Sequence, residues 1–119
     1  MARLKVYQYS RCATCRKAVK HLRQQGHELE LVEIIDHPPT EEELRAFIRS
    51  SGLEAAKFFN TSGEVYKQMK LKDTAKSMSE EEIVRLLASN GKLIKRPIVT
   101  DGRRASVGYH EETFNRIWS

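Results

Sequence analysis

The first part of the chain alternates between strand-like and helix-like patterns of hydrophobic residues. Residues 3–9 (RLKVYQY) alternate hydrophobic and polar positions, which predicts a β-strand. After a short loop, hydrophobic residues recur at helical spacing, at Cys15, Ala18, Val19 and Leu22. Gly26 marks the expected end of this helix, and residues 29–35 (LELVEII) predict a second strand. Strand, helix and strand with short connections form a βαβ unit, so the two strands should be parallel.

The middle of the chain predicts helices and no convincing strand. A capping box, in which a helix-starting Ser or Thr is followed three residues later by Glu, occurs twice, at Thr40/Glu43 and Ser79/Glu82. Gly52 and Gly91 are the expected ends of these two helices. Shorter helices are expected at residues 55–59 and 64–69. Residues 37–91 are therefore predicted to be a helical insertion.

Strands return near the C-terminus. Residues 96–100 (RPIVT) and 105–108 (ASVG) predict a hairpin around a turn at residues 101–102. A last helix is predicted by hydrophobic residues at helical spacing, at Phe114, Ile117 and Trp118. The chain is thus predicted to be one α/β domain over residues 1–119, in which β-α-β and β-β-α halves share a mixed sheet covered by helices.

Composition and charge narrow the class of protein. The 119 residues, 39% hydrophobic and 31% charged, suit a soluble globular domain. The sequence has no apolar run near the roughly 20 residues of a membrane-spanning helix and no N-terminal signal segment, so we expect a cytoplasmic protein without a membrane partner. The net charge is +5, and residues 1–25 contain no acidic side chain. No nucleic-acid-binding motif accompanies this basic segment, so we interpret it as a solvated helix face and expect no direct nucleic-acid partner.

Both cysteines of the chain, Cys12 and Cys15, stand in a CxxC motif at the start of the first predicted helix. A structural zinc site needs about four ligands, and the four histidines show no zinc-finger spacing. Haem attachment needs His directly after the second cysteine, where this chain has Arg16. A disulfide across so short a loop would stabilise the fold little. We therefore expect no metal site and favour a redox-active dithiol.

The position of Cys12 favours a reactive thiolate. Cys12 lies where the loop enters the helix, so free backbone N–H groups and the helix dipole stabilise an anion there. Arg11, Arg16 and Lys17 add positive charge. The thiolate is the nucleophile in disulfide exchange, and Cys15, one helical turn later, is placed to resolve a mixed disulfide. Directly after a strand, and opening the helix of a βαβ unit, this motif indicates redox chemistry.

Four other residues are candidates for supporting roles. Ser10 and Thr14 shape the loop, and Thr14 could cap the helix, donate to the thiolate or simply face solvent. Pro97 begins a predicted strand, where either a trans or a cis bond after Arg96 is compatible with the sequence. Arg96 could direct its guanidinium at the thiolate or at an oxyanion bound there, or it could lie on the surface.

Four segments of the chain are similar to one known family. The segments are CATCRKA, KFFNTSGEVYKQM, LIKRPIVTDG and VGYHEETF, and they span nearly the whole chain. Together they resemble the arsenate reductase/Spx family of the thioredoxin-fold superfamily. The resemblance implies a thioredoxin-like mixed sheet with a helical insertion between its halves. It also implies that the Arg96–Pro97 bond is cis and that Cys12 is the nucleophile.

The resemblance to arsenate reductases is incomplete at the anion-binding positions. Glutaredoxin-linked arsenate reductases have a single cysteine in this loop and three arginines that hold the oxyanion. Cys12 and Arg96 match the cysteine and one arginine, whereas Asn60 and Gly108 fall where the other two arginines are expected. The resemblance therefore predicts weak or absent arsenate reduction.

Two other branches of the family share more of the motif. Spx regulators carry CxxC and segments like RRPI and VGYNE, and they bind the C-terminal domain of the RNA polymerase α subunit. A glycine in their helical insertion matters for that contact. Gly52 occupies a similar place, although a helix C-cap also explains it. The FFNTSG segment is most similar to a third, arsenate-reductase-like branch.

The sequence thus predicts a monomeric, cytoplasmic thioredoxin-fold protein with a Cys12–Cys15 dithiol–disulfide pair. In this interpretation Cys12 attacks, Cys15 resolves and Arg96 acts electrostatically. The partner is a thiol or disulfide of another molecule, with no bound cofactor and with glutathione, glutaredoxin or thioredoxin as candidate reductants. The two alternatives are an Spx-like regulator that binds the polymerase α subunit and a glutaredoxin-linked arsenate reductase.

Overall fold

The computed structural model describes residues 2–119. Its strands are β1 (Arg3–Gln8), β2 (Glu28–Glu33), β3 (Ile98–Thr100) and β4 (Ala105–Val107). They form one sheet in the order β2-β1-β3-β4. Strands β1 and β2 are parallel, whereas β3 is antiparallel to both β1 and β4. The predicted parallel βαβ unit and the predicted hairpin are both confirmed.

The helices cover the sheet and fill the middle of the chain. They are α1 (Ala13–Gln24), α2 (Glu41–Ser51), α3 (Glu64–Gln68), α4 (Leu71–Thr74), α5 (Glu80–Ser89) and α6 (Glu111–Ile117). Shorter 3₁₀ turns occur at Ala55–Phe58, Ala75–Ser77 and Gly91–Leu93. Along the chain, helices α2 to α5 come after β2 and before β3. The predicted thioredoxin-like mixed sheet with a helical insertion is therefore confirmed. Within residues 2–119, none of the helices combines the length and the hydrophobicity that a bilayer-spanning segment requires.

Strand β1 lies inside the sheet and is buried on both faces. Leu4 and Val6 belong to a core cluster with side chains of α1, β3 and the C-terminal segment, namely Ala18, Val19, Leu22, Val99, Phe114 and Trp118. Tyr7 faces the opposite way and belongs to a larger cluster built mainly from the insertion. Successive side chains of a strand point to opposite faces, so this one strand supports two hydrophobic layers.

The ends of the helices follow the predicted capping chemistry, with one exception. Both capping boxes are formed, at Thr40 and at Ser79. Gly52 ends α2 in the left-handed conformation, with φ of 72°. Gly91 does not end α5 in this way, because Asn90 is the C-cap residue and has an extended backbone. Gly91 is buried instead against the backbone of Ile34, and a Cβ at this position would collide with the Ile34 carbonyl oxygen.

A short backbone bridge joins the insertion to the segment before β3. Phe59 and Ile94 form an isolated antiparallel bridge. The Asn60 amide donates to the Leu93 carbonyl at 2.8 Å, and the Lys95 amide donates to the Phe58 carbonyl at 2.7 Å. The bridge therefore fixes Asn60 relative to Lys95 and the residues that follow it.

Candidate active site

The two cysteines lie at the N-terminal end of α1, directly after β1. Cys12 is the N-cap residue of α1, and its amide donates to the Tyr9 carbonyl at 2.9 Å. Cys15 is in the first turn of the helix and is fully buried, whereas Cys12 is partly exposed. Both thiols are free. The outer thiol is thus accessible and the inner one is covered by protein.

The surroundings of Cys12 favour its thiolate. Partial burial would by itself raise the pKa of Cys12, but the Cys15 backbone amide, the Cys15 thiol and the Arg96 guanidinium together lower it below its ordinary value. The Cys12 side chain forms no capping hydrogen bond, so the Cys15 amide acts on the sulfur as a nearby oriented dipole. Hydrogen-bond donors and a cation stabilise the charged form of a thiol, so these neighbours favour the thiolate of Cys12 over its thiol.

Cys15 has the opposite character. Burial raises its pKa to about 12, and the neighbouring Cys12 contributes to this rise, although the Tyr9 backbone amide works against it. That amide lies 3.5 Å from the Cys15 sulfur. A buried thiol next to a thiolate is held in its neutral form, because a second negative charge there would be both desolvated and repelled. Cys15 is therefore a proton-bearing neighbour of Cys12 in the reduced protein.

Arg96 reaches the site from the segment that leads into β3. The Arg96–Pro97 peptide bond is cis, as the family resemblance implies. The guanidinium carbon of Arg96 lies 5.0 Å from the centre of the Tyr9 ring, a cation–π arrangement. Within residues 2–119, the buried Nε of Arg96 has no hydrogen-bond partner. Tyr9 thus holds the guanidinium beside Cys12, and one of its donors is still unused.

A surface cavity of about 540 Å³ opens at Cys12. Arg96 lines it, and so do Asn60 and Gly108, the two positions where arsenate reductases are expected to have arginines. Gly108 has φ of 79°, and a Cβ there would lie 2.9 Å from Cε of Lys95, whose side chain also lines the cavity. The three predicted anion-binding positions therefore all line the Cys12 cavity, but only Arg96 carries a positive charge, since the other two are Asn60 and Gly108.

The other predicted site residues differ in whether they line the Cys12 cavity. Thr14 lines the Cys12 cavity and is exposed, whereas Arg11 is exposed and does not line it. Arg16 donates to the Ser10 carbonyl at 3.0 Å, so it supports the loop by a hydrogen bond. Gly52 does not line the cavity and serves as the cap of α2.

Sequence reasoning missed several residues of the site, among them Lys95 and Tyr9. Lys95 enters the cavity because Gly108 leaves room for its side chain, and Tyr9 supports Arg96 through its ring. The motif KRPIV and the position of Tyr9 at the end of the first predicted strand were visible in the sequence, but their contacts depend on how β1 and β3 pair. Within residues 2–119, no group of three or more His, Cys, Asp or Glu side chains could hold a metal ion.

The sequence of residues 7–117 matches the model of the ArsC family. The chain belongs to the ArsC family. Among relatives of this ArsC protein, the Bacillus subtilis protein YusI is 47% identical over 116 residues, which are 98% of each chain. The global transcriptional regulator Spx of Bacillus subtilis is 30% identical over 94% of this chain and 84% of its own. The arsenate reductase of Neisseria meningitidis is 28% identical over 98% of this chain and 99% of its own.

The fold of this ArsC protein is also found among solved structures. An ArsC family related protein from Bacteroides fragilis superimposes with a TM-score of 0.92 at 47% sequence identity, covering 95% of each chain. The homologues thus include both arsenate reductases and an Spx regulator. Membership of the ArsC family is therefore shared by proteins with different functions.

Proposed function

We propose that this protein is a thiol–disulfide redox protein in which Cys12 attacks and Cys15 resolves. The observation that carries the proposal is the contrast between the two thiols. Cys12 is accessible, with a lowered pKa, and Cys15 is buried one helical turn away, with a pKa of about 12. A single-cysteine mechanism would give the second thiol no chemical role.

The reaction begins at Cys12. Its thiolate attacks one sulfur of a disulfide in the partner, and the other partner sulfur leaves as a thiolate. Cys15 then loses its proton and attacks the Cys12 sulfur. This step forms the Cys12–Cys15 disulfide and releases the second partner sulfur. The two electrons that Cys12 and Cys15 lose reduce the partner disulfide. Cys15 supplies one of the protons that complete the two partner thiols, and solvent supplies the other, because Cys12 reacts as a thiolate.

The pKa of Cys15 helps to order these steps. Burial makes the largest contribution to its raised pKa, but the negative charge of Cys12 also contributes. Once Cys12 is in a mixed disulfide it carries no charge, so this second contribution disappears and the pKa of Cys15 falls. Cys15 therefore becomes a better nucleophile only after Cys12 has reacted.

The cellular setting follows from this chemistry. A dithiol that is oxidised in each cycle needs a reducing compartment, so we propose a cytoplasmic protein. A small thiol such as glutathione, or a dithiol protein such as glutaredoxin or thioredoxin, would return the Cys12–Cys15 disulfide to the reduced state. No bound cofactor is needed, and one chain supplies both thiols, so the proposed working form is a monomer.

Covalent trapping tests the proposal. The Cys15→Ser variant should accumulate mixed disulfides at Cys12, because the resolving thiol is missing. The Cys12→Ser variant should trap nothing, and the double variant is the matched control for non-specific capture. Mass spectrometry of wild-type protein after mild oxidation should show the loss of two hydrogens in a monomer. A Cys12-linked dimer, or sulfinic acid at Cys12 with Cys15 still reduced, would contradict the resolving role of Cys15.

A second candidate is a redox-sensitive regulator that binds the C-terminal domain of the RNA polymerase α subunit. It is supported by the identity to Spx and by Gly52, which is exposed and where an added Cβ would meet no atom within 4 Å. Titration of the purified domain tests it: a micromolar complex that Gly52→Arg abolishes would favour the regulator. Gly26→Arg is the matched control, because Gly26 also has positive φ and open surroundings.

A further inference from the structure

A second groove lies beside the loop that carries Cys12, between α1 and the edge strand β2. It has a volume of about 680 Å³, and its lining includes Ser10, Arg16, Val19, Lys20, Arg23 and Leu31. None of its lining residues also lines the Cys12 cavity. We call it the α1–β2 groove.

The cations of the α1–β2 groove are not neutralised by the protein. Arg16, Lys20 and Arg23 recur at the spacing of one helix face, and α1 contains no acidic residue. Within residues 2–119, no carboxylate lies within 4.0 Å of any of these three side chains. Glu33, at the end of β2, accepts instead from the Gln8 side chain and the Ser10 amide. The groove thus presents positive charge without an internal partner.

The floor of the groove is apolar and borders an open sheet edge. Leu31 is 42% exposed, although it is a large hydrophobic residue on a strand. Strand β2 pairs with β1 on one side and is the terminal strand of the sheet, so its other edge has unpaired backbone groups. An extended peptide can add to such an edge, with side chains at alternate positions entering neighbouring pockets.

The groove is continuous with the reactive loop. Ser10 and Arg16 line it, and the Arg16 guanidinium donates to the Ser10 carbonyl, two residues before Cys12. A segment that occupies the groove therefore lies against the loop that carries Cys12. This is the place where the chain flanking a partner's disulfide would lie.

We infer that the α1–β2 groove binds an acidic, extended segment with one apolar residue, in the protein that exchanges disulfides with Cys12. Carboxylates of the segment face Arg16, Lys20 and Arg23, and its apolar side chain packs on Leu31. An extended peptide fits better than a nucleic acid, because its backbone can pair with the open edge of β2 and its apolar side chain can cover exposed Leu31. The identity of the partner rests on the proposed function, whereas the binding of an acidic segment does not.

Binding is tested without any thiol chemistry. A short synthetic peptide without cysteine, carrying Glu and Asp around one Leu, is titrated into the full-length protein and followed by amide NMR. Shifts should concentrate on α1 and β2, and Lys20→Glu/Arg23→Glu should weaken affinity by about tenfold or more. Lys67→Glu/Lys92→Glu, an equal charge change at exposed residues outside the groove, should have little effect. Leu31→Asp should also weaken binding.

Kinetics then link the groove to Cys12. The same peptide with one cysteine, activated as a mixed disulfide with thionitrobenzoate, should react faster than a version with Lys in place of Glu and Asp. Each rate is divided by the rate of the same protein with the neutral reagent dipyridyl disulfide. The acidic preference should fall about tenfold in Lys20→Glu/Arg23→Glu and should also fall with added salt.

The outcomes separate the two proposals. Groove binding of the cysteine-free peptide with no disulfide exchange at Cys12 supports the groove and overturns the redox function. Exchange that is equally fast with acidic and basic peptides, with no shifts on α1 and β2, overturns the groove and supports the redox function. Tighter binding of a single-stranded oligonucleotide than of the peptide at the same residues also overturns the groove assignment.

Discussion

Arg96 is the cationic side chain that acts on Cys12. Its guanidinium contributes to the lowered pKa of Cys12, and Tyr9 holds it in place. Arg96→Gln removes the charge, so the pKa of Cys12 should rise and the alkylation of Cys12 should shift to higher pH. Arg96→Lys should shift the profile less. Iodoacetamide labelling across pH, read by mass spectrometry at each cysteine, measures the effect. An unchanged profile, or faster labelling of Cys15, would show that Arg96 does not control Cys12.

Asn60 and Gly108 bear on the specificity of the same cavity. An oxyanion there would meet Arg96 but would lack the charge-assisted hydrogen bonds of two further arginines. Turnover of arsenate with glutathione and glutaredoxin should therefore be weak or absent, compared with the Neisseria meningitidis arsenate reductase as positive control. Asn60→Arg should raise arsenate-dependent turnover, because it restores one arginine. Wild-type turnover equal to that of the control enzyme would refute this prediction.

At the scale of elements, each capping box stabilises the start of one helix of the insertion, α2 or α5, through a single hydroxyl group. Thr40 and Ser79 each accept a hydrogen bond from the amide three residues on, at 3.1 Å. Thr40→Ala and Ser79→Ala should each lower the free energy of unfolding by about 1 kcal/mol, measured by urea denaturation. Thr61→Ala, at an exposed loop position, is the control and should change it by less than about 0.5 kcal/mol. Equal losses in all three variants would argue against the caps.

Gly91 packs closely against the backbone of Ile34, the residue that follows β2. Because a Cβ there would collide with the Ile34 carbonyl, Gly91→Ala should cost about 3 kcal/mol of unfolding free energy. Gly26→Ala should cost about 1 kcal/mol, since Gly26 has positive φ but open space around it. Thermal or urea unfolding of the two variants gives the comparison. A smaller loss for Gly91→Ala than for Gly26→Ala would contradict the close approach.

Local sequence signals predicted some features of the fold and missed those that depend on residues distant in the sequence. The helix after the CxxC motif, both capping boxes and the hairpin were predicted because their signals lie within a few residues of one another. Gly91 was misinterpreted as a cap, because its role depends on Ile34, which is distant in sequence. The Phe59–Ile94 bridge was missed for the same reason. The placement of Lys95 and Asn60 in the cavity follows from that bridge and could not be predicted from periodicity.

At the scale of the whole molecule, the raised pKa of Cys15 makes the free energy of unfolding depend on pH. Cys15 has a pKa of about 12 in the folded state and about 8.5 when unfolded, so above pH 8.5 the unfolded chain binds fewer protons and stability falls as pH rises. Cys12→Ser removes the contribution of Cys12 to this pKa but keeps the larger contribution of burial, so the loss should be about 1.5 kcal/mol between about pH 8.5 and 10. The reference is Cys12→Ser/Cys15→Ala, in which other titrating groups are the same. Parallel stability curves for the two proteins would show that Cys15 is not held neutral.

The burial of Cys15 also determines what a simple thiol count reports. Cys15 is fully covered in the reduced chain, and only Cys12 meets solvent. A bulky alkylating reagent such as a maleimide, added to the native protein, would therefore register a single sulfhydryl, because an alkylated Cys12 offers Cys15 no disulfide to attack. The second sulfhydryl would be registered only after denaturant is added. Counting on native samples would make a fully reduced preparation look half oxidised, so the stoichiometry of any preparation has to be determined on unfolded chains.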